Sequence, residues 1–86
     1  MTVDNMTVDN ITDWNAQART ILKAELVRKG IGYKRLAELL AEIGVEETPS
    51  AITNKMSRGT FSFAFFLQCM RAIGRAHVEI KLDDID

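Results

Sequence analysis

Cysteine, histidine, proline, tryptophan and tyrosine each occur once in the 86 residues of this chain. A single cysteine, Cys69, cannot close an internal disulfide, and a reducing cytoplasm is the simplest home for such a protein. With His77 as the lone histidine beside it, no metal cluster is expected. A Gly-rich phosphate loop and an isolated carboxylate pair are also missing, so no catalytic constellation presents itself, and neither enzyme activity nor a cofactor is expected. No apolar run approaches the roughly 18 residues that cross a bilayer. The N-terminus lacks the basic stretch and apolar core of a secretory signal.

What is present is the material of one small soluble domain, 47% hydrophobic and 27% charged. The net charge of −1 conceals an uneven distribution. Ten of the eleven basic residues lie between Trp14 and Ala76, against five of the twelve acids, so this segment carries about +5 and the ends are acidic. An excess of that kind points weakly to an anionic partner.

The first ten residues are a tandem repeat, Met1-Thr-Val-Asp-Asn and Met6-Thr-Val-Asp-Asn. The unit is too short for a solenoid, so residues 1–11 read as a flexible acidic tail, with Met6 an alternative start. Beyond it, Gly30, Gly44, Gly59 and Gly74 each follow a stretch of helical periodicity, at the place of a C′ glycine. The first helix is expected from a cap at Thr12 or Asp13 to about Lys29, with Ala18, Ile21, Leu22 and Leu26 inward. The second opens at Tyr33 and turns Leu36, Leu39, Leu40 and Ile43 to the core. Thr48 as N-cap and Pro49 at the first helical position start the third. Ser62 caps the fourth, with Phe61 and Phe66 placed as a hydrophobic staple and Phe63, Phe66, Leu67, Met70 and Ile73 as the core stripe. Phe65, beside Cys69 and Ala72, then falls on the opposite side, as an apolar patch suited to a subunit interface or to cover by the chain's own end. After Gly74 the period shortens. Val78, Ile80 and Leu82 alternate with Glu79, Lys81 and Asp83, as in a half-buried strand. A lone strand needs a partner, which is either the same strand of a second subunit or, for a tail without a ladder, the surface of the helices.

The second and third helices, joined by a short turn containing Gly44, fit helix-turn-helix spacing. With Ile52 and Met56 inward, Ser50, Asn54 and Ser57 face outward on the third helix, flanked by Thr53 and Arg58. Asn pairs bidentately with adenine and Arg with guanine, while hydroxyls reach base edges or phosphate. Tyr33, Lys34 and Arg35 bring a phenol and two cations to a helix N-terminus, where phosphate is favoured. Glu46 and Glu47, in the turn before the third helix, oppose non-specific binding of a polyanion.

The stretch from about Ile21 to Gly74 resembles the lambda-repressor/Cro-like helix-turn-helix domains. The matching pieces are Gly30-Ile-Gly-Tyr-Lys-Arg-Leu-Ala, Gly44-Val45, Ile52-Thr-Asn-Lys-Met, Arg58-Gly59 and Phe66-Leu-Gln-Cys-Met-Arg-Ala-Ile-Gly74. It looks most like a group of small bacterial proteins with that fold whose function is unknown. The resemblance implies phosphate contact at Tyr33, recognition positions at Pro49, Ser50, Thr53 and Asn54, and backbone phosphate near Ser57 and Arg58. Pro49 itself has no donor to offer a base.

The expectation is therefore an all-α, four-helix, repressor-like helix-turn-helix domain over residues 12–76, followed by a short C-terminal β-strand and acidic tail over 77–86. Its expected function is sequence-specific binding of duplex DNA as a small transcriptional regulator, with the third helix, about 48–58, in the major groove. Asn54, Ser50 and Thr53 would reach bases, and Lys34, Lys55, Ser57 and Arg58 would hold phosphates. A homodimer, joined through Phe65, Cys69, Ala72, Val78, Ile80 and Leu82, would read two half-sites about one helical turn apart. The alternative is a protein-interaction module that keeps this fold without binding DNA.

Overall fold

A computed structural model describes residues 13–82. The tandem repeat, Ile11, Thr12 and the last four residues, Asp83 to Asp86, lie outside that range. Four helices make up the described chain: α1 (Trp14–Lys29), α2 (Tyr33–Glu42), α3 (Pro49–Arg58) and α4 (Phe63–Ala72). Three of them begin at a side chain that caps the helix, and α2 follows Gly32 without one. Asp13 caps α1 by accepting from the Ala16 amide at 2.9 Å. Thr48 accepts from Ala51 ahead of α3, and Ser62 from Phe65 ahead of α4, both at 3.0 Å. Pro49 occupies the start of α3, where a missing N–H costs nothing.

The helix ends are equally regular. After α1, the Ile31 amide reaches back to Leu26 and Gly30 to Val27; after α2, Val45 reaches Leu40 and Gly44 reaches Ala41; after α4, Arg75 reaches Met70 and Gly74 reaches Arg71. This repeated 6→1 and 5→2 pattern satisfies carbonyls that a helix leaves open and turns the chain sharply. Gly59, which closes α3, has a second constraint. A β-carbon there would collide with the backbone carbonyl of Asn15, so the end of α3 is pressed directly onto the start of α1.

The core is built from Leu22 and Leu26 of α1, Leu36 and Leu40 of α2, Ile52 and Met56 of α3, and a broad strip of α4. Helix α2 packs against both α3 and α4, and α1 against α3. Leu22, Leu36, Leu40 and Ile52 are completely enclosed, each contributing about 1.5–3 kcal/mol of apolar transfer.

Two expectations need correcting, besides the placing of Ile43, which stands 40% exposed at the end of α2 rather than in the core. The α4 stripe is rotated: Phe66, Met70 and Ile73 are buried as expected, but so are Phe65 and Cys69, while Phe63 is 66% and Leu67 52% exposed. The sequence of α4 is apolar on almost every side, so periodicity does not fix which side faces in. Small Cys69 sits at the packed interface, and Phe65 is held between the Phe61 ring at 5.9 Å and the Lys55 ammonium at 5.2 Å. Phe61 thus meets Phe65, and the Phe66 ring stacks instead on Phe63 at 5.8 Å. Phe65 and Cys69 are core residues, Ala72 is half-buried, and none of the three forms an exposed patch. The second correction concerns Val78, Ile80 and Leu82: among the described residues there is no strand. Val78 packs half-buried on the core and Ile80 and Leu82 are exposed. A strand is defined by a ladder, and this segment finds no ladder within the described chain.

Candidate nucleic-acid interface

Helix α3 places its two large apolar residues, Ile52 and Met56, inward, and its opposite face is left to short polar groups. Pro49, Ser50, Thr53, Asn54, Ser57 and Arg58 are all exposed. The Thr53 hydroxyl donates to the Pro49 carbonyl at 3.0 Å, which fixes its rotamer and leaves its oxygen free to accept. Arg58, in the last turn, makes no ion pair among the described residues. Its guanidinium is one of the free cations of this face.

Lys55 is different. Its ammonium lies 3.4 Å from Glu47 and over the Phe65 ring, and its side chain is only about one-third exposed. Its charge is spent within the chain. The same pair removes half of the acidic turn, because Glu47 is drawn inward and only Glu46 stays exposed. Arg35 is likewise held at 3.0 Å by Glu38, whereas Lys34 remains exposed and unpaired among the described residues.

Tyr33 is half-buried. Lys23 donates to its hydroxyl at 3.3 Å and lies 4.7 Å from its ring centroid. This contact opens onto a groove of about 580 Å³ between α1 and α3, where Arg19, Lys23, Tyr33, Thr53 and Ser57 converge over an apolar floor. Three of these were expected at the interface. Arg19 and Lys23 were not, because the inward stripe of α1 says nothing of what its outer side meets. The signal was available in their i, i+4 spacing, which puts two cations on one side of the helix.

Cys69 is completely buried. Burial, reinforced by the nearby Glu47 carboxylate and partly offset by Lys55, pushes its thiol from about 9 up to about 12. Among the described residues no group of three or more metal-ligating side chains occurs, and no helix is long and apolar enough to cross a membrane.

A family model, described as a domain of unknown function (DUF6471), matches residues 14–78. The chain belongs to that family. The matched span runs from the first residue of α1 to the half-buried Val78 and so contains the four helices and the groove between α1 and α3. DUF6471 carries no functional description, and the likeness to repressor domains rests on the residues quoted for it alone. No curated protein and no solved structure matches the chain.

Proposed function

We propose that this DUF6471 protein binds duplex DNA sequence-specifically as a small transcriptional regulator, with α2 and α3 acting as a helix-turn-helix and α3 lying in the major groove. The observation that carries this reading is the sorting of charge and polarity around α3. Ser50, Asn54 and Ser57 stand exposed on one face, with Arg58 free beside them, and Arg19 and Lys23 line the adjoining groove. Three acids that would oppose a polyanion are paired within the chain, Glu25 with Arg75 and Glu47 with Lys55 in partly buried contacts and Glu38 with Arg35 at the surface. In this arrangement Asn54, Ser50 and Thr53 meet base edges, while Arg58, Ser57, Lys34, Arg19 and Lys23 hold phosphates on either side.

The test is selection from a randomised duplex pool at low and moderate salt. Enrichment of a defined motif that persists at moderate salt supports the reading. Flat recovery at both salts overturns it and transfers the function to a protein-interaction module on the same helices.

A further inference from the structure

The segment after α4 is more ordered in its pattern than in its partners. Among the described residues, none of the backbone N–H groups of residues 76–82 donates to a backbone carbonyl. The segment nevertheless has a place. Val78 and Ile80 border one groove with Phe63, Phe66 and Leu67 of α4, Ile80 borders a second with Ala18 and Ile21 of α1, and Lys81 a third with Ala16 and Thr20. It therefore crosses from α4 toward α1 with Val78 against the body, Ile80 and Leu82 exposed, and a backbone without ladder partners among the described residues. Four of the seven large exposed apolar side chains of the described residues, Phe63, Leu67, Ile80 and Leu82, belong to this one region. An unpaired edge of this kind is a template for another strand.

The sequence of the segment says which strand fits. In an antiparallel pairing of the segment with itself, centred on Ile80, Ile80 faces Ile80 of the second copy and Val78 faces Leu82. Glu79 faces Lys81, and Lys81 faces Glu79. Every apolar residue meets an apolar one on the inner face, and every charge meets its opposite on the outer face. Shifting the register by two residues brings Glu79 opposite Glu79 or Lys81 opposite Lys81, and like charges directly opposite are destabilising. A shift of one residue sets apolar against charged side chains.

We propose that two copies of this chain associate through an antiparallel β-ribbon of residues 78–82, with the two-fold axis passing between the paired Ile80 residues. The axis stands normal to the ribbon, so both apolar faces point the same way and the Phe63–Leu67 surfaces of the two α4 helices come together beneath it. The interface is isologous and closes at two copies. It accounts for the alternating pattern that has no ladder among the described residues, and it does not depend on what α3 binds.

The test is a charge exchange read by sedimentation velocity over a concentration series of the full chain. Glu79→Lys and Lys81→Glu each replace two attractive cross-strand pairs with two repulsive ones and are expected to weaken dimerisation roughly tenfold. The double variant, Glu79→Lys with Lys81→Glu, restores opposite charges in the same register and is expected to return to the wild-type dissociation constant. Both positions are exposed, so far-ultraviolet dichroism of each variant is expected to match the wild type. As a second readout, Ile80→Cys is expected to cross-link to itself under mild oxidation, because among antiparallel registers this one alone sets residue 80 against its own copy. A monomeric wild type at 100 µM or so, single variants that associate like the wild type, or a double variant no better than the singles would overturn the proposal.

Discussion

The Arg75 guanidinium donates through Nε to the Glu25 carboxylate at 2.7 Å, joining two residues that are 50 positions apart. Glu25 sits on the inner side of α1 between Leu22 and Leu26 and is 3% exposed, the one buried charge of the described core. Arg75 reaches it because its own amide is bonded to Met70 at 2.8 Å, which fixes the direction in which the chain leaves α4. The pair thus ties the first helix to the segment after the last. Breaking a buried pair from one side leaves a charge without a partner. Arg75→Ala is expected to cost about 2 kcal/mol, since Arg75 itself is partly exposed, and Glu25→Gln, which keeps an acceptor for Nε, about 1 kcal/mol. Urea denaturation of both variants measures this, and an unchanged midpoint for Arg75→Ala would show that water replaces the guanidinium.

Gly59 and Gly30 both have left-handed backbone, at φ +66° and +69°, but differ in surroundings. Nothing lies within 4 Å of where a β-carbon would sit at Gly30, whereas at Gly59 it meets the Asn15 carbonyl. Gly30→Ala is therefore expected to cost only the backbone strain, about 1 kcal/mol, and Gly59→Ala about 3 kcal/mol, because α1 must move away from α3. Thermal melts of the two variants compare the effects directly. Equal losses would mean that the approach of α1 to α3 yields without cost.

The capping residues explain why the helices were legible in the sequence. Asp13, Thr48 with Pro49, and Ser62 mark starts through chemistry confined to three or four consecutive residues, and the glycines mark ends in the same local way. The rotation of α4 was not legible, because Phe63, Phe65, Phe66 and Leu67 offer apolar groups on all sides and the choice is made by α2, Phe61 and Lys55. Periodicity fails where a helix is apolar all round. The candidate site divides similarly. The outward face of α3 follows from the inward pair Ile52 and Met56, but the capture of Lys55 by Glu47 and the approach of Arg19 and Lys23 are tertiary facts.

Cys69 is expected to stay unreactive toward thiol reagents in the folded protein at pH 7–8 and to become reactive only on unfolding. Its thiol is raised from about 9 to about 12 in the folded chain. A group with a raised folded value leaves stability intact below the unfolded value and costs stability as pH climbs from about 9 toward 12. Denaturation midpoints across that window are expected to fall more steeply for the wild type than for Cys69→Ala, which has no thiol to ionise. Parallel curves would place the thiolate in contact with solvent or a cation.

Lysines and arginines that look alike in the sequence should separate in a binding experiment. Arg58 is exposed with no ion pair among the described residues, and Arg19 lines the groove beside α3, so each is free to displace a counterion from a phosphate. Lys55 is already held by Glu47 and the Phe65 ring. On an enriched duplex, Arg58→Ala and Arg19→Ala are each expected to lower the salt slope by about 0.9, whereas Lys55→Ala leaves it unchanged. Asn54→Ala is expected to cost about 1–3 kcal/mol on the preferred sequence and little on others, because a base contact discriminates where a phosphate contact does not. Fluorescence anisotropy titrations at several salt concentrations separate these outcomes. Equal losses for Lys55 and Arg58 would indicate that the Glu47 pair opens on binding, and no loss at Asn54 would remove α3 as the reading helix.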